Sequence, residues 1–306
     1  DHREYLPMLL DRVNSLYQRD KNHPSILIWS LGNESYVGTC HEAMTNFFHS
    51  VDDTRLVHYE ACFWNREFDH VSDMESRMYA KPADIAEYLD TKPAKPYISC
   101  EFLHCMGNSG GNLNMYMELE DKYDQYQGGF IWDYMDQAVL HTNDQGEEYL
   151  SYGGDHDERA TDYEFCTNGL VYADRTVSPK AQEVKAWFSN VKLFPDAKGV
   201  SVKNENLFIS TAGYDFVCRV LKNGEQIFES ENLKLEVPAG ENRYFELPFP
   251  EFSQAGEYTY EVSMALSETT DWAEKGYEVC FGQYVAMIAE EKKICTKPLQ
   301  VIRGDV

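Results

Sequence analysis

The sequence has no apolar run long enough to cross a membrane, and its first residues lack the basic start and apolar core of a signal peptide. Basic residues are also scarce, since 27 Lys and Arg stand against 52 Asp and Glu, for a formal net charge of −25. Such a surface repels phosphate backbones, and no Lys/Arg stripe offsets it. We therefore exclude nucleic acid and membrane as partners and attribute the charge to solubility.

Motifs of several common chemistries are missing as well. The chain contains no G-x-S-x-G, no phosphate-cradling glycine loop and no HExxH. Its eight cysteines form no CxxC pair and show no zinc-ligand spacing, and several lie in apolar runs such as YISCEF at 97–102. Free, buried thiols explain this usage better than a disulfide framework, which predicts a cytoplasmic protein.

The first part of the chain alternates between strand-like and helical patterns. The sequence predicts strands at 26–31, 56–61, 76–80, 96–102 and 128–135, and helices at 41–50, 82–90 and 112–126. Alternation of this kind is typical of a parallel α/β fold. We assign residues 1–195 to this domain.

After residue 195 the pattern becomes purely β. Period-2 runs such as 256–266 and 206–211 follow one another, 233–237 reads as a further strand, and no helical pattern intervenes. The Asn-Gly pair at 223–224 predicts a hairpin turn. About a hundred residues of this kind, 196–296, predict an all-β sandwich of immunoglobulin-like size.

Two of the predicted α/β strands end in a glutamate. The run SILIWSLGNES at 25–35 leads from apolar residues to Glu34, and KPYISCEF repeats the design with Glu101. Catalytic groups sit at the C-terminal strand ends of parallel α/β barrels, and glycoside hydrolysis needs two converging carboxylates. A glutamate after a strand can also cap a helix or pair with a lysine, and for either residue alone this alternative stays open.

Aromatic residues stand at two further strand ends. Trp132 lies in GGFIWDYM, and Tyr79 ends SRMYA. Flat rings stack on the apolar faces of sugars, although an aromatic residue at a strand end is more often part of a core. Because Glu34 and Glu101 are also predicted at strand ends, the four residues together favour a carbohydrate site.

Long motifs in the chain resemble the bacterial lactose-cleaving β-galactosidases of glycoside hydrolase family 2. These motifs are NHPSILIWSLGNES, YISCEFLHCMGNS, QGGFIWDYMDQ, SYGGDH and FCTNGLVYADRTVSP. The resemblance implies the C-terminal half of a TIM (β/α)8 barrel over 1–195, followed by an immunoglobulin-like sandwich. It also implies that residues 297–306 begin a further C-terminal domain. The chain would then be a segment of a longer homo-oligomeric protein, or be completed by another chain. In either case we expect these 306 residues to be inactive alone.

The same resemblance implies a role for each matched residue. Glu34 corresponds to the general acid/base, Glu101 to the nucleophile that forms a covalent galactosyl intermediate, and Tyr79 to its hydrogen-bonding neighbour. Asn33 corresponds to a residue that holds the sugar 2-hydroxyl. His104, Trp132 and Asn168 correspond to further substrate-binding positions. The implied reaction is hydrolysis of terminal β-D-galactosides such as lactose with retention, with a β-glucuronidase, a β-mannosidase or a non-catalytic carbohydrate-binding scaffold as alternatives.

The resemblance also implies two metal cofactors. Glu34 would be a ligand of Mg²⁺, while the backbone carbonyl of Phe165 and the side chain of Asn168 would help to hold Na⁺. Independently of the resemblance, the acidic loop at 153–162 could bind a hard cation or simply be solvated.

Overall fold

The structure is a computed structural model that describes residues 2–289 apart from residues 159 and 162. The chain divides into two compact units, residues 1–187 and 188–306. The division lies earlier than the predicted boundary at 195/196, because Val191–Pro195 is a strand that pairs with Gly199–Asn204 in the second unit. The predicted segment 297–306 lies outside the described residues.

Helices and strands alternate through the first unit. The helices are α1 Leu6–Asp20, α2 Thr39–Val51, α3 Pro82–Asp90, α4 Asn114–Lys122 and α5 Lys180–Phe188, and the strands are β1 Ile28–Ser30, β2 Leu56–His58, β3 Glu75–Met78, β4 Tyr97–Phe102, β5 Tyr126–Ile131, β6 Val139–Thr142 and β7 Glu148–Ser151. β1 pairs with β2 and β3–β4–β5 form a second sheet, both parallel, whereas β6 and β7 form an antiparallel hairpin. The predicted parallel α/β arrangement is confirmed, and within the described residues the parallel sheets stay open.

Side chains connect the two parallel sheets between β2 and β3. The Val57 N–H donates to Asp73 Oδ2 at 2.7 Å, and His58 Nε2 lies 2.8 Å from Ser76 Oγ. Burial lowers the pKa of His58 to about 4, so its ring is neutral and contributes no charge beneath the strand ends. The five strands therefore follow one another in chain order, with their C-terminal ends on the same side.

Helices cover these strands with their apolar faces. One core joins residues of α1, β1, α2 and β2, among them Trp29, which stacks on Phe48 with ring centroids 5.2 Å apart. A second core joins α3, β4, α4 and β5 around Tyr97. Burying each large side chain contributes roughly 1.5–3 kcal/mol, so these cores hold the strands in register and fix the positions of their ends.

Several predicted elements of the first unit need correction. β1 covers only 28–30 of the predicted 26–31, because Leu27 is exposed, and the predicted helix 112–126 is confined to α4. The predicted strand 56–61 stops at His58, where a 3-10 helix over Glu60–Phe63 begins. β6, β7 and α5 were not predicted, because short amphipathic segments carry little periodicity.

The second unit is a sandwich of two antiparallel sheets. Its strands are β8 Val191–Pro195, β9 Gly199–Asn204, β10 Tyr214–Lys222, β11 Glu225–Glu229, β12 Asn242–Glu246, β13 Gly256–Leu266 and β14 Glu278–Ile288. The sheet orders are β11–β10–β13–β14 and β12–β9–β8, and side chains of both sheets share one core. Asn223 and Gly224 have φ of 49° and 85°, as the predicted hairpin turn requires.

Two predicted strands of the sandwich are absent from its described residues. Residues 206–211 lead into a 3-10 helix, Thr211–Gly213. Residues 233–237 make an isolated bridge between Leu233 and Phe216. Leu233 and Phe216 exchange two backbone hydrogen bonds, and the Thr211 N–H donates to the Val237 carbonyl at 3.1 Å. The Val237 N–H donates to a side chain, Thr211 Oγ1, at 2.8 Å.

Two predictions from composition can be compared with the structure. Within the described range, no helix combines the length and apolarity that crossing a membrane demands. Seven of the eight cysteines fall in this range and all seven are free thiols, six of them buried, as predicted.

Candidate active site

All eight residues predicted for the site line a single cavity of about 630 Å³ in the first unit. They are Asn33, Glu34, Tyr79, Glu101, His104, Trp132, Phe165 and Asn168. Most of them stand at or just after the C-terminal ends of β1, β3, β4 and β5, so the parallel arrangement brings distant parts of the sequence together. Their individual roles remain predictions.

The side chains of Tyr79 and Glu101 are hydrogen-bonded to each other in this cavity. The Tyr79 hydroxyl donates to Glu101 Oε2 at 2.6 Å, and the Tyr79 N–H donates to the Glu101 carbonyl at 2.8 Å. Burial, and then the hydrogen bond to Glu101, raise the pKa of Tyr79 well above its usual range. The phenol therefore keeps its proton and acts as a fixed donor that orients the carboxylate.

Glu34 and Tyr79 both adopt the left-handed backbone region, with φ of 52° and 53°. For a residue with a side chain this conformation costs on the order of 1–3 kcal/mol and persists only where surrounding contacts impose it. Around Glu34 those contacts are its own N–H, which donates to Glu60 Oε1 at 2.7 Å, and the next N–H, of Ser35, which donates to the Tyr59 hydroxyl at 3.1 Å. The Tyr59 hydroxyl in turn donates to the Ser35 carbonyl.

Aromatic rings form one wall of the cavity. Tyr79 meets His104 edge to face at 5.6 Å between centroids, and His104 meets Phe165 at 6.2 Å. Trp132 is held by its backbone, since its N–H donates to the Phe102 carbonyl at 3.1 Å and its carbonyl accepts from the Cys105 N–H at 2.8 Å. Rings that share a cavity with carboxylates and amides are a combination that binds sugars.

Asn168 carries an oxygen that lacks a partner in the described structure. The residue is 2% exposed, its amide nitrogen donates to the Phe165 carbonyl, and its Oδ1 is buried without a hydrogen bond. A buried acceptor of this kind needs an explanation, and a bound ion is one. An amide oxygen beside a backbone carbonyl is a donor set that suits a hard cation, so these two residues fit the implied Na⁺.

Glu34 is the residue of this cavity that the resemblance assigns to Mg²⁺. Among the residues that the structure describes, no group of three or more His, Cys, Asp and Glu could hold a metal ion. Mg²⁺ at Glu34 therefore stays a prediction.

The acidic loop uses its carboxylates on its own backbone. Asp155 Oδ2 accepts from the Tyr152 N–H at 3.0 Å, and Glu158 Oε2 accepts from Gly154 and His156 at 3.0 Å each. Asp162 lies outside the described residues. These contacts favour the structural interpretation of 153–158 over a cation site.

Sequence reasoning missed a third glutamate beside the site. Glu60 lies just after β2, as Glu34 lies after β1 and Glu101 near the end of β4, but the sequence predicts a strand over all of LVHYEA. Burial raises the pKa of Glu60, which is only 5% exposed, against the lowering effect of the Glu34 N–H. The repeated pattern of an apolar strand followed by a glutamate was the signal that could have identified it.

A second cavity, of about 970 Å³, adjoins the first and shares Glu34 and Tyr79 with it. Its lining includes the exposed aromatic residues Tyr36 and Trp64, together with Glu60. Glu101 lines only the smaller of these two cavities. Of the two glutamates, Glu34 lines both of these cavities, whereas Glu101 lines the smaller of them and a further cavity of about 250 Å³.

Each of the two units matches the model of a known protein family. The model of the glycosyl hydrolases family 2 TIM barrel domain matches residues 1–193, and the model of β-galactosidase domain 4 matches residues 200–286. A β-galactosidase of Streptococcus thermophilus is 50% identical over an alignment of 323 residues. The alignment covers 99% of this chain and 31% of the relative. One of Clostridium acetobutylicum is 51% identical over 302 residues, covering 97% and 33% respectively.

Solved structures are more distant. A Bacteroides uniformis β-glucuronidase covers 94% of this chain, and the match covers 37% of that structure's chain, at 14% identity and a TM-score of 0.44. The chain spans about a third of the length of the curated relatives it matches.

Proposed function

Since the chain belongs to glycoside hydrolase family 2, we propose that it carries the catalytic groups of a retaining β-galactosidase that hydrolyses terminal β-D-galactosides such as lactose. One observation above all supports the proposal: Glu34, Glu101 and the other six predicted residues line one cavity, in which Tyr79 donates to Glu101 at 2.6 Å. The curated relatives named β-galactosidases support the choice of sugar.

In the proposed reaction Glu101 attacks the anomeric carbon while Glu34 protonates the departing glycosidic oxygen. The galactosyl group is then esterified to Glu101, and Glu34 removes a proton from the water that cleaves this ester. Two inversions at the anomeric carbon give overall retention. Tyr79, held protonated, orients the attacking carboxylate and stabilises its charge before attack.

The remaining residues would bind the galactosyl group. Trp132 offers a flat face for the sugar, Asn33 an amide for the 2-hydroxyl, and His104 a donor or acceptor for other hydroxyls. The Phe165 carbonyl and Asn168 Oδ1 would hold Na⁺, which when bound would receive the 6-hydroxyl. Glu34 would lend one carboxylate to Mg²⁺.

We also propose the setting in which these residues work. β1 to β5 would be part of the second half of a (β/α)8 barrel, and the sandwich would be immunoglobulin-like in topology. The seven free thiols support a cytoplasmic location. The native protein is expected to be a homo-oligomer.

The sugar specificity can be tested with the native protein that contains these 306 residues. We expect kcat/KM for a nitrophenyl β-galactoside to exceed that for the matching β-glucuronide and β-mannoside by roughly 10² or more, the effect of a few lost or clashing hydroxyl contacts. Preference for another sugar would reassign the protein within its family. Sugar binding without turnover of any of the three would instead indicate a carbohydrate-binding scaffold.

The sodium proposal predicts the effect of Asn168→Leu. This variant keeps the size of the side chain and removes its buried oxygen, so activation of galactoside hydrolysis by Na⁺ over K⁺ should be lost, with KM raised about tenfold for a lost contact of ~1.4 kcal/mol. The β-D-fucoside, which lacks the 6-hydroxyl, is the matched control, and its KM should change little. A variant that keeps its full sodium response would contradict the assignment.

A further inference from the structure

We propose that Glu60 is a positioning residue that fixes the backbone of Glu34 and thereby aims the acid/base carboxyl at the glycosidic oxygen. This inference rests on the proposed function. Its basis is the hydrogen bond from the Glu34 N–H to Glu60 Oε1 at 2.7 Å, made by a carboxylate that is only 5% exposed. No catalytic contact is assigned to Glu60 itself.

Glu34 needs such a contact because of its backbone conformation. With φ of 52° it occupies a region that residues with a side chain avoid, and such a conformation persists only where surrounding contacts impose it. The direction of the Cα–Cβ bond follows from this conformation, so relaxing the backbone would swing the carboxyl away from the cavity. The Glu60 contact holds the N–H on one side of that bond, and Tyr59 holds Ser35 on the other.

A comparison with Glu75 separates this role from ordinary ion pairing. Glu75 is similarly buried, at 3% exposure, and its carboxylate pairs with Arg66 and with Arg77 at 2.7–2.8 Å. No Lys or Arg of the described chain pairs with Glu60, and its carboxylate instead accepts a hydrogen bond from the Glu34 N–H. Burying a carboxylate without a cation is costly, so its presence here points to a positional role.

The location of Glu60 agrees with positioning rather than contact with the sugar. It lines the larger neighbouring cavity and a further cavity of about 250 Å³ that also includes Gly32 and Glu101, but not the one that holds the eight predicted residues. Glu60 therefore supports the site from the side of β2. The hydrogen bond to the Glu34 N–H is the contact through which Glu60 would act on the reaction.

The experiment compares Glu60→Leu, which removes the acceptor, with Glu60→Gln, which keeps a carbonyl oxygen for the Glu34 N–H. Both are made in the native protein, and kcat/KM is measured for a phenyl and a dinitrophenyl β-galactoside. The phenyl substrate needs protonation by Glu34 and the dinitrophenyl substrate does not, because its leaving group is already a good one. Asp52→Asn is the control, a buried carboxylate that bonds Trp29 and Arg55 instead.

We expect Glu60→Leu to lower kcat/KM for the phenyl galactoside about 10²-fold, the usual effect of a small misplacement of a catalytic group, and for the dinitrophenyl galactoside less than about threefold. Glu60→Gln should recover most of the loss, and Asp52→Asn should affect both substrates alike. Equal losses of Glu60→Leu on the two substrates, or a Gln variant as poor as the Leu variant, would overturn the inference.

Reaction with a dinitrophenyl 2-deoxy-2-fluoro-galactoside distinguishes a specific loss of the acid step from a general loss of folding or of the nucleophile. If Glu60→Leu is labelled on Glu101 as the unaltered protein is, its fold and nucleophile are intact, and only the acid step has changed. If it is not labelled while the unaltered protein is, the loss is general and the positioning role is wrong. Failure to label even the unaltered protein would instead reject the proposed function.

Discussion

Replacing Glu101 with glutamine should lower turnover of a β-galactoside by at least about 10⁴-fold, or ~5.5 kcal/mol of barrier. The amide is the same size but is a poor nucleophile, so the covalent galactosyl intermediate cannot form at a useful rate. The hydrogen bond from Tyr79 would still have an oxygen to accept it, so the shape of the cavity should survive. The measurement is kcat in the native protein beside the variant, with melting temperature as a check on folding.

A matched control for this substitution is Glu118→Gln, which makes the same chemical change on the exposed face of α4. It should leave kcat unchanged. Labelling by a 2-deoxy-2-fluoro-galactoside should place the sugar on the peptide that contains Glu101 and on no other. A Glu101→Gln variant with undiminished turnover, or a label on another peptide, would remove Glu101 from the reaction.

The part of the site that sequence reasoning could predict is the part that depends on strand direction. Parallel strands end at the same edge, so Glu34, Glu101 and Trp132 could be placed together once their strands were identified. This required only the element order and no angles. For the same reason, errors of a few residues in the predicted bounds of β1 and β5 did not change which residues were predicted to meet at the site.

The local geometry of the site could not be predicted, because it depends on tertiary contacts. Neither Glu34 nor Tyr79 is a glycine, yet both adopt positive φ, a choice that no local propensity indicates. Likewise, Tyr59 and Glu60 follow an apolar run and resemble strand residues. They leave the strand because their side chains bond the loop after β1, 24–26 positions earlier.

The sandwich shows the same division between pattern and context. The hairpin at Asn223–Gly224 was predictable because its turn residues determine φ directly. Residues 233–237 alternate like a strand and bury Leu235 and Val237, but Thr211 takes up the backbone N–H of Val237. Alternation reports which side chains are buried, and it does not report whether a neighbouring strand is free to pair.

Removing the carboxyl of Glu34 should give a different kinetic signature from removing that of Glu101. In Glu34→Ala we expect kcat/KM for a phenyl β-galactoside to fall by about 10³-fold or more, within the range that general acid catalysis contributes, and for a dinitrophenyl β-galactoside about tenfold at most. Glu101 and Tyr79 remain, so attack on an activated substrate can proceed. Release of the galactosyl group then becomes slow, because no base activates water.

Azide provides the decisive measurement, because it is a nucleophile that needs no base and fits where the carboxyl was. Azide should accelerate turnover of the dinitrophenyl galactoside by Glu34→Ala and yield the β-galactosyl azide, since it attacks the galactosyl–Glu101 ester from the face that Glu34 served. The Glu101→Ala variant is the control, and any azide product it forms should be the α-anomer, by direct displacement. An α-galactosyl azide from Glu34→Ala would mean that the two glutamates have exchanged roles.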